Sequence, residues 1–473
     1  MLFNSLEFAV FFPVVTGLYF CLPHRYRWAM LLAASCYFYM AFIPAYLLIL
    51  LFTITIDYVA GLWIERTSGE RRKHLLYVSL AANALVLSVF KYFDFLNGIL
   101  RDILQPFGVP YDVANLSLIL PIGLSFHTFQ SLSYVIEVYR GNYPAEKHFG
   151  IFALYVMFYP QLVAGPIERP QHLLPQFRTR HVFDYSRITE GLRMMAWGLL
   201  LKTVVADNLA PSVDAVYDNV QQFSGPAIAA ATVFFAFQIY CDFGAYSLIA
   251  IGCARVMGFS LMTNFRQPYY SQSVAEFWRR WHISLSTWFR DYVYVPLGGS
   301  RVSWLRWCRN ILIVFAFSGL WHGANWTFVV WGLLHGTYLI VSSWTERWRQ
   351  WFNAMTTLDR YPAVLRPLRV AVTFILVCFA WIFFRANSLA DARYAVMQIW
   401  RVSEGRSHFE LPIIGIAGIV LVLMADAMDQ KERVEAIVAR QRLIPRWAVY
   451  YAVVLVILAW GRFGQRQFIY FQF

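Results

Sequence analysis

Repeated apolar stretches constrain the possible fold of this chain more than any other feature. Such windows centre on residues 6–22, 29–42, 45–63, 74–93, 116–138, 191–206, 227–243, 310–344, 369–385, 411–427 and 447–463. A helix needs about 20 apolar residues to cross a bilayer, and the window 310–344 is long enough for two. Hydrophobic residues make up 59% of the chain and charged residues only 14%. We therefore predict an all-α, polytopic integral membrane protein with about 11–12 transmembrane helices plus re-entrant and amphipathic surface helices.

The excess of basic residues predicts the orientation in the membrane. The net charge is +13, and Lys and Arg of membrane proteins concentrate in cytoplasmic loops, so we do not expect a nucleic-acid partner. The basic loops lie at 24–27, 65–73, 169–193, 266–309, 347–369 and 431–446. If residues 150–165 and 244–258 are re-entrant or interfacial and do not cross the membrane, all of these loops face the cytoplasm. Both termini then lie outside. The acidic stretch 207–226 then lies outside, as does 385–406 despite its arginines.

We expect one membrane domain spanning 1–473. Within it we distinguish N-terminal helices (1–260), a cytoplasmic amphipathic region (261–309), a pair of helices carrying the candidate catalytic histidine (310–345) and C-terminal helices (346–473). No Cys or His spacing typical of a metal site occurs among the six cysteines, so we predict no metal and inert packing cysteines.

His322 is the first candidate for chemistry, because ionisable groups inside a membrane are costly and mark sites. Eleven apolar residues, Ile311 to Trp321, precede it and rise about 16 Å, half of the hydrocarbon thickness. A Gly-Ala-Asn break follows, and irregular backbone at that depth belongs beside protein or a cavity. An imidazole here can take a proton from a hydroxyl, which suits acyl transfer. The alternative is a histidine that only packs between helices.

His282 lies forty residues upstream in an aromatic and basic stretch. It either binds an acyl donor or orients a reacting group, or it is a surface histidine on an amphipathic helix. Arg279, Arg280 and Arg290 can pair with donor phosphates from the cytoplasmic side or with anionic lipid headgroups. Asp242 follows an apolar run at a break in QIYCDFGAYSLIAIG. Asp242 and Asn325 are assigned to the donor path, with a structural pair or cap as the alternative for Asp242.

Two further stretches interrupt apolar segments with polar residues. One carries Pro121, Gly123, His127 and Gln130, and the other carries Gln161, Gly165, Pro166 and Glu168. Such breaks either line a cavity or supply hydrogen bonds between helices.

Five stretches together resemble the membrane-bound O-acyltransferase family. They are PIGLSFHTFQSLSYVIEVYRG, AGPIERP, YCDF, QPYYSQSVAEFWRRWHISLSTWFRDYVYVPLGG and GLWHGANWTFVVWGLLHG. Within the family the chain is similar to the bacterial polysaccharide O-acetyltransferases, the branch that includes the alginate O-acetylation membrane protein. The resemblance implies that His322 is the essential histidine of the family and that His282 occupies its second signature position.

The resemblance also implies a central tunnel, cytoplasmic acetyl-CoA as the acyl donor with no permanently bound cofactor, and a place in the bacterial inner membrane. The acetyl group would pass to a periplasmic partner with a serine-hydrolase-like fold, which modifies a polysaccharide such as alginate. The branch usually reads Asp-Phe-Ser-Gly-Tyr-Ser-Asp where this chain has Gly244 in place of the first Ser and Leu248 in place of the last Asp.

Three alternatives to acetyl transfer onto an exopolysaccharide stay open. Two are enzymatic: transfer of another acyl group, such as D-alanine, to a cell-wall polymer, or O-acetylation of peptidoglycan. The third is a transporter whose polar residues line a permeation path.

Overall fold

The computed structural model describes residues 1–357, 360–401, 408–430, 434–463 and 468–469. Regular structure within these ranges is helical, without a strand. In the first half of the chain the helices are α1 (Leu6–Cys21), α2 (His24–Met40), α3 (Tyr46–Arg66), α4 (Glu70–Leu87), α5 (Phe93–Leu104), α6 (Leu124–Arg140), α7 (Phe149–Met157), α8 (Tyr159–Leu162), α9 (Pro170–Arg178), α10 (Tyr185–Leu200) and α11 (Asp207–Asp218).

The later helices are α12 (Gly225–Met257), α13 (Val274–Arg280), α14 (Ile283–Phe289), α15 (Trp304–His322), α16 (Trp326–Trp344), α17 (Glu346–Met355), α18 (Pro362–Arg385), α19 (Leu389–Gln398), α20 (Ile413–Asp429), α21 (Val434–Arg440) and α22 (Leu443–Trp460). Short π-helical stretches interrupt or extend this series at Ser88–Tyr92, Leu201–Ala206 and Arg290–Tyr294.

Five of the described helical segments are long and apolar enough to cross a bilayer. They are Tyr46–Arg66, Glu70–Phe107, Gly225–Met257, Pro362–Arg385 and Leu443–Trp460. Shorter apolar helices such as Leu6–Cys21 add to them. The protein is therefore a multi-pass, all-α membrane protein, as the sequence predicts, while the count of 11–12 crossings and the central tunnel stay predictions.

The chain folds as two compact units. The first comprises Met1–Leu192 with Ile249–Met262, and the second comprises Arg193–Leu248 with Thr263–Phe473. The expectation of one domain with four regions stays a prediction.

A buried carboxylate joins three helices of the first unit. Asp57 of α3 is fully buried and accepts hydrogen bonds from Ser79 Oγ at 2.6 Å and Asn83 Nδ2 at 2.9 Å, both on α4. Ser131 Oγ of α6 also donates to it. A buried carboxylate is costly unless donors surround it, so this cluster fixes α3, α4 and α6 to one another.

The polar residues at the two sequence breaks of the first unit act as links between helices. Gln161 Nε2 donates to the carbonyl oxygen of Tyr155 at 3.1 Å, and Gln130 Nε2 donates to the same oxygen. Gly123 permits the turn before α6, since its φ is +76° and positive φ favours glycine. These contacts favour the hydrogen-bonding interpretation of both breaks over a cavity lining.

Two features of the second half of the chain bear on the predicted topology. Helix α12 runs unbroken for 33 residues, so residues 244–257 continue the helix of the window 227–243 and are not the separate re-entrant segment that the topology allows, while the number of crossings in this region stays a prediction. The glycines of that stretch do not break it.

Arg385 pairs with Asp214 at 2.9 Å and Asp218 at 3.3 Å. This pairing puts the start of 385–406 beside the acidic stretch, as the predicted orientation requires, while residues 402–407 lie outside the described residues.

Candidate active site

A hairpin of two closely packed helices carries His322. Helices α15 and α16 run antiparallel, because Gly319 lies against the backbone of Phe328 and Gly332 against that of Phe315. A Cβ at either glycine would collide with a carbonyl group of the opposite helix. The prediction that the window 310–344 holds two helices is therefore confirmed.

His322 ends α15, and Asn325 begins α16. Gly323 is extended, with φ −163°, and Asn325 caps the next helix by accepting from Thr327 N at 3.0 Å. The Asn325 Nδ2 group donates to the carbonyl oxygen of Asn387 at 3.3 Å. Both ends of this amide therefore have structural partners, and its assignment to donor binding stays a prediction.

The His322 side chain is buried, with 3% exposed, in aromatic surroundings. Its ring centroid lies 4.9 Å from Trp321, 5.0 Å from Trp331 and 5.4 Å from Phe384. Phe384 is the penultimate residue of α18. The imidazole thus lies beside the last turn of a candidate span, near Arg385, and its predicted place halfway through the membrane stays a prediction.

The structure brings His282 to His322, with 6.4 Å between the ring centroids. His282 is fully buried, so the interpretation as a surface histidine is wrong. Its Nδ1 lies 3.2 Å from Asn264 Oδ1, which also accepts from Ser284 N at 3.3 Å and Ser284 Oγ at 3.0 Å. Because an amide oxygen only accepts, Nδ1 carries the proton in this contact.

A strained backbone places the His282 ring. Its φ is +43°, a left-handed conformation that costs a non-glycine residue about 1 kcal/mol or more. Helix α13 precedes it and begins with reciprocal capping, since Ser273 Oγ accepts from Glu276 N at 3.1 Å and Glu276 Oε2 accepts from Gln272 N at 2.8 Å.

The three candidate arginines lie on the elements that flank His282. Arg279 is exposed, Arg280 pairs with Glu276 at 2.6 Å, and Arg290 pairs with Asp291 at 2.7 Å. Two of the three charges thus have carboxylate partners, and Arg279 is the most accessible to an anion. Binding of donor phosphates by this segment stays a prediction.

Asp242 lies in a buried ion-pair cluster. Its carboxylate is 2.7 Å from Lys202 Nζ, which is also 3.0 Å from Asp207, and it accepts from Ile469 N at 2.8 Å. The next residue, Phe243, contacts the His282 ring at 4.6 Å between centroids. These contacts favour the structural alternative for Asp242.

Gly244 stands where the related branch has Ser. A Cβ added at Gly244 would have its nearest neighbours at 3.5 Å, an ordinary van der Waals contact, so a Ser has room there.

Sequence reasoning missed Lys202 and Asn264. A lysine within an apolar window is itself a signal of a buried partner or a site, and Lys202 could have been found by that rule. Asn264 carries no such signal, because the contact that makes it important comes from folding alone.

Comparisons with known proteins give matches that cover most of the chain. The sequence model of the membrane-bound O-acyltransferase family matches residues 148–384, about half of the chain and including both histidines. A probable alginate O-acetylase of Azotobacter vinelandii is 41% identical over 406 residues, which cover 84% of this chain and 78% of the relative.

The chain belongs to the membrane-bound O-acyltransferase family.

Two other relatives act on cell-wall polymers by name. A peptidoglycan O-acetyltransferase of Helicobacter pylori is 35% identical over 392 residues, covering 76% of this chain and 71% of its own. A teichoic acid D-alanyltransferase of Streptococcus thermophilus is 28% identical over 270 residues, which cover 53% of this chain and 63% of the relative. This membrane-bound O-acyltransferase is thus an acyltransferase, and the transporter interpretation is dropped.

Proposed function

We propose that this protein moves acetyl groups from cytoplasmic acetyl-CoA to a hydroxyl group presented on the far side of the bacterial inner membrane, for O-acetylation of an alginate-like polysaccharide. The single observation that carries the proposal is the pair of buried imidazoles, His322 and His282, 6.4 Å apart within an aromatic cluster. A histidine that only packs between helices does not need a second buried histidine beside it, whereas a shared reaction site does.

The surroundings of His322 suit acyl transfer. Aromatic rings exclude water from the imidazole, and a dry site limits hydrolysis of a thioester. As general base, the imidazole takes the proton of the attacking hydroxyl, the hydroxyl oxygen bonds to the thioester carbon, and the carbon–sulfur bond breaks. The imidazolium then returns its proton to the departing CoA thiolate. As transient acyl acceptor, its nitrogen would instead bond to the acetyl carbon first.

The donor enters from the side of the basic segment in this proposal. Arg279 is exposed on α13, two residues before the buried Trp281 and three before His282. A guanidinium suits the phosphates of CoA. The acyl end would then reach His282 and His322 from there.

The acceptor reaches His322 from the opposite side. Phe384, which contacts the His322 ring, is followed by Arg385, and Arg385 pairs with the acidic stretch predicted to lie outside. The closeness of His322 to this stretch in the structure supports our proposal of acetyl transfer to an extracytoplasmic hydroxyl. We propose that a periplasmic partner with a serine-hydrolase-like fold takes the group and passes it to the polymer.

Replacing the candidate base tests the proposal directly. His322→Ala should abolish acetyl esters on the secreted polymer, measured by mass spectrometry, because the proposal gives the proton transfer to this imidazole. The amount of protein in the membrane should stay near that of the wild type. Retained acetylation would remove His322 from the mechanism.

His335→Gln is the matched control. His335 is also a fully buried imidazole of α16, and its Nδ1 accepts from Trp278 Nε1 at 3.3 Å. A glutamine keeps an acceptor for Trp278, so we expect acetylation to fall by less than about threefold, within about 0.7 kcal/mol.

The same spectra identify the acyl group. The relative with a D-alanyltransferase name makes D-alanine the second candidate. Acetyl esters support the proposal, whereas D-alanyl esters would replace its donor, and acetyl esters found on peptidoglycan alone would replace its acceptor.

A further inference from the structure

Three buried tryptophans near the histidine pair have indole N–H groups that find no acceptor among the residues that the structure describes. Trp281, Trp331 and Trp381 are each 0% exposed. Among the described residues, none accepts a hydrogen bond from the Nε1 of any of the three. All three lie in the second unit, together with His282 and His322.

These donors are costly as they stand. A buried donor without a partner lowers the stability of the protein by about 1–3 kcal/mol. A buried tryptophan therefore usually has an acceptor for its N–H group. One such indole is an ordinary irregularity of packing. Three of them joined by ring contacts through Trp381 indicate that an acceptor from outside the chain belongs among them.

Their contacts connect the two histidines. Trp331 lies 5.0 Å from His322 between ring centroids and stacks on Trp381 at 5.8 Å. Trp381 lies 5.2 Å from Trp281, which immediately precedes His282. The three indole rings therefore form a continuous series of contacts from His322 to the residue before His282.

We propose that the Nε1–H of Trp331 binds the carbonyl oxygen of the acyl thioester and stabilises the oxyanion formed from it. This inference rests on the proposed function. Trp331 is chosen over the other two because its ring lies directly against the His322 ring. Donors aimed at developing charge in a dry site lower the barrier more than they strengthen substrate binding.

The reaction step balances with this assignment. The hydroxyl oxygen of the acceptor bonds to the thioester carbon while His322 takes the hydroxyl proton. The π pair of the C=O group moves to its oxygen, where Trp331 donates. The pair returns as the carbon–sulfur bond breaks, and CoA leaves as a thiol with the proton from His322.

An isosteric replacement tests the N–H group alone. Benzothienylalanine has the shape of tryptophan but carries sulfur in place of N–H, and it can be incorporated at position 331 of the full chain by genetic code expansion. The assay follows ¹⁴C from acetyl-CoA into polymer in membranes of the producing cells, at varied acetyl-CoA concentration. We expect kcat to fall about 100-fold, as for a lost oxyanion donor, with KM changed less than threefold.

Trp278 offers the matched control. It contacts Trp331 at 5.7 Å, but its Nε1 already donates to His335 Nδ1 at 3.3 Å. The same replacement at 278 should therefore leave kcat within about threefold of the wild type, since it lacks a role in the step. Trp331→Phe, which also lacks the N–H group, should reproduce the loss at 331.

Each outcome has a definite meaning. Equal kcat in the wild type and the 331 isostere overturns this inference, and so does an equal loss at 278 and 331, which indicates packing. A loss at 331 confined to KM also overturns it. Lack of transfer by the wild type itself would contradict the proposed function instead. Membrane content and thermal unfolding of each variant show whether it folds.

Discussion

His282 is a residue whose orientation is fixed by its backbone and by one hydrogen bond. Its backbone adopts a left-handed conformation, with φ +43°, and its Nδ1–H is held by Asn264. A strained, hydrogen-bonded histidine has one fixed orientation and tautomer. In that orientation the ring lies 6.4 Å from the His322 ring between centroids, so we propose that Asn264 acts through His282 as a positioning residue.

Asn264→Ala should therefore impair catalysis by the same route as His282→Ala. Loss of the amide leaves donors of Ser284 and His282 without this acceptor, at about 1–3 kcal/mol each, and frees the ring. We expect each single variant to lower acetyl transfer about tenfold or more, and the double variant to be no worse than the poorer single one. Multiplied losses in the double variant would show that the two residues act independently.

Lys202→Met should destabilise the protein strongly. Lys202 is 7% exposed and lies between Asp207 and Asp242, so its removal leaves two buried carboxylates together. Breaking such a pair costs about 3–5 kcal/mol. Thermal unfolding in detergent measures the effect.

Arg255→Gln is the comparison for Lys202→Met. Arg255 pairs with Glu190 at 2.8 Å, and about a third or more of each side chain is exposed. We therefore expect Arg255→Gln to lower the free energy of unfolding by less than about 1 kcal/mol. Similar losses for both variants would contradict the assigned role of Lys202.

At the element scale, the sequence predicts the type of an element better than its extent. The Gly-Ala-Asn break and the length of the apolar window predict the hairpin of α15 and α16. The pattern makes α12 too short, because Gly244 and the polar residues near it resemble a break, whereas a helix buried along its length tolerates glycine. Helix α15 begins at Trp304, before the apolar window at residue 310, because its first turns include polar residues that hydropathy leaves out.

Gly319→Ala tests the close approach within the hairpin. Its Cβ would meet the carbonyl group of Phe328, so α15 and α16 must separate and shift His322, three residues later. We expect a loss of about 1–3 kcal/mol in stability with reduced acetyl transfer. Gly17→Ala of α1 is the control, since nothing lies within 4 Å of its Cβ, and it should be neutral or slightly stabilising. Equal effects would show that the glycine contact does not hold the hairpin.

For the whole molecule, composition and apolar periodicity are enough to predict a multi-pass helical membrane protein. The motifs indicate the family and both histidines, because these stretches keep their residues close together in sequence. The cluster of Trp281, Trp331 and Trp381 could not be predicted, since its members come from three separate parts of the chain. Only the fold shows that these three indoles are joined by ring contacts, with N–H groups that lack an acceptor within the described part of the chain.

The most direct measurement is a cryo-electron microscopy structure of the full chain with a thioether analogue of acetyl-CoA that cannot transfer its acyl group. We predict the acyl carbon within about 4 Å of the His322 imidazole, close to hydrogen-bond reach of the reacting atoms. An analogue bound with its acyl end away from both His322 and His282 would contradict the proposed mechanism.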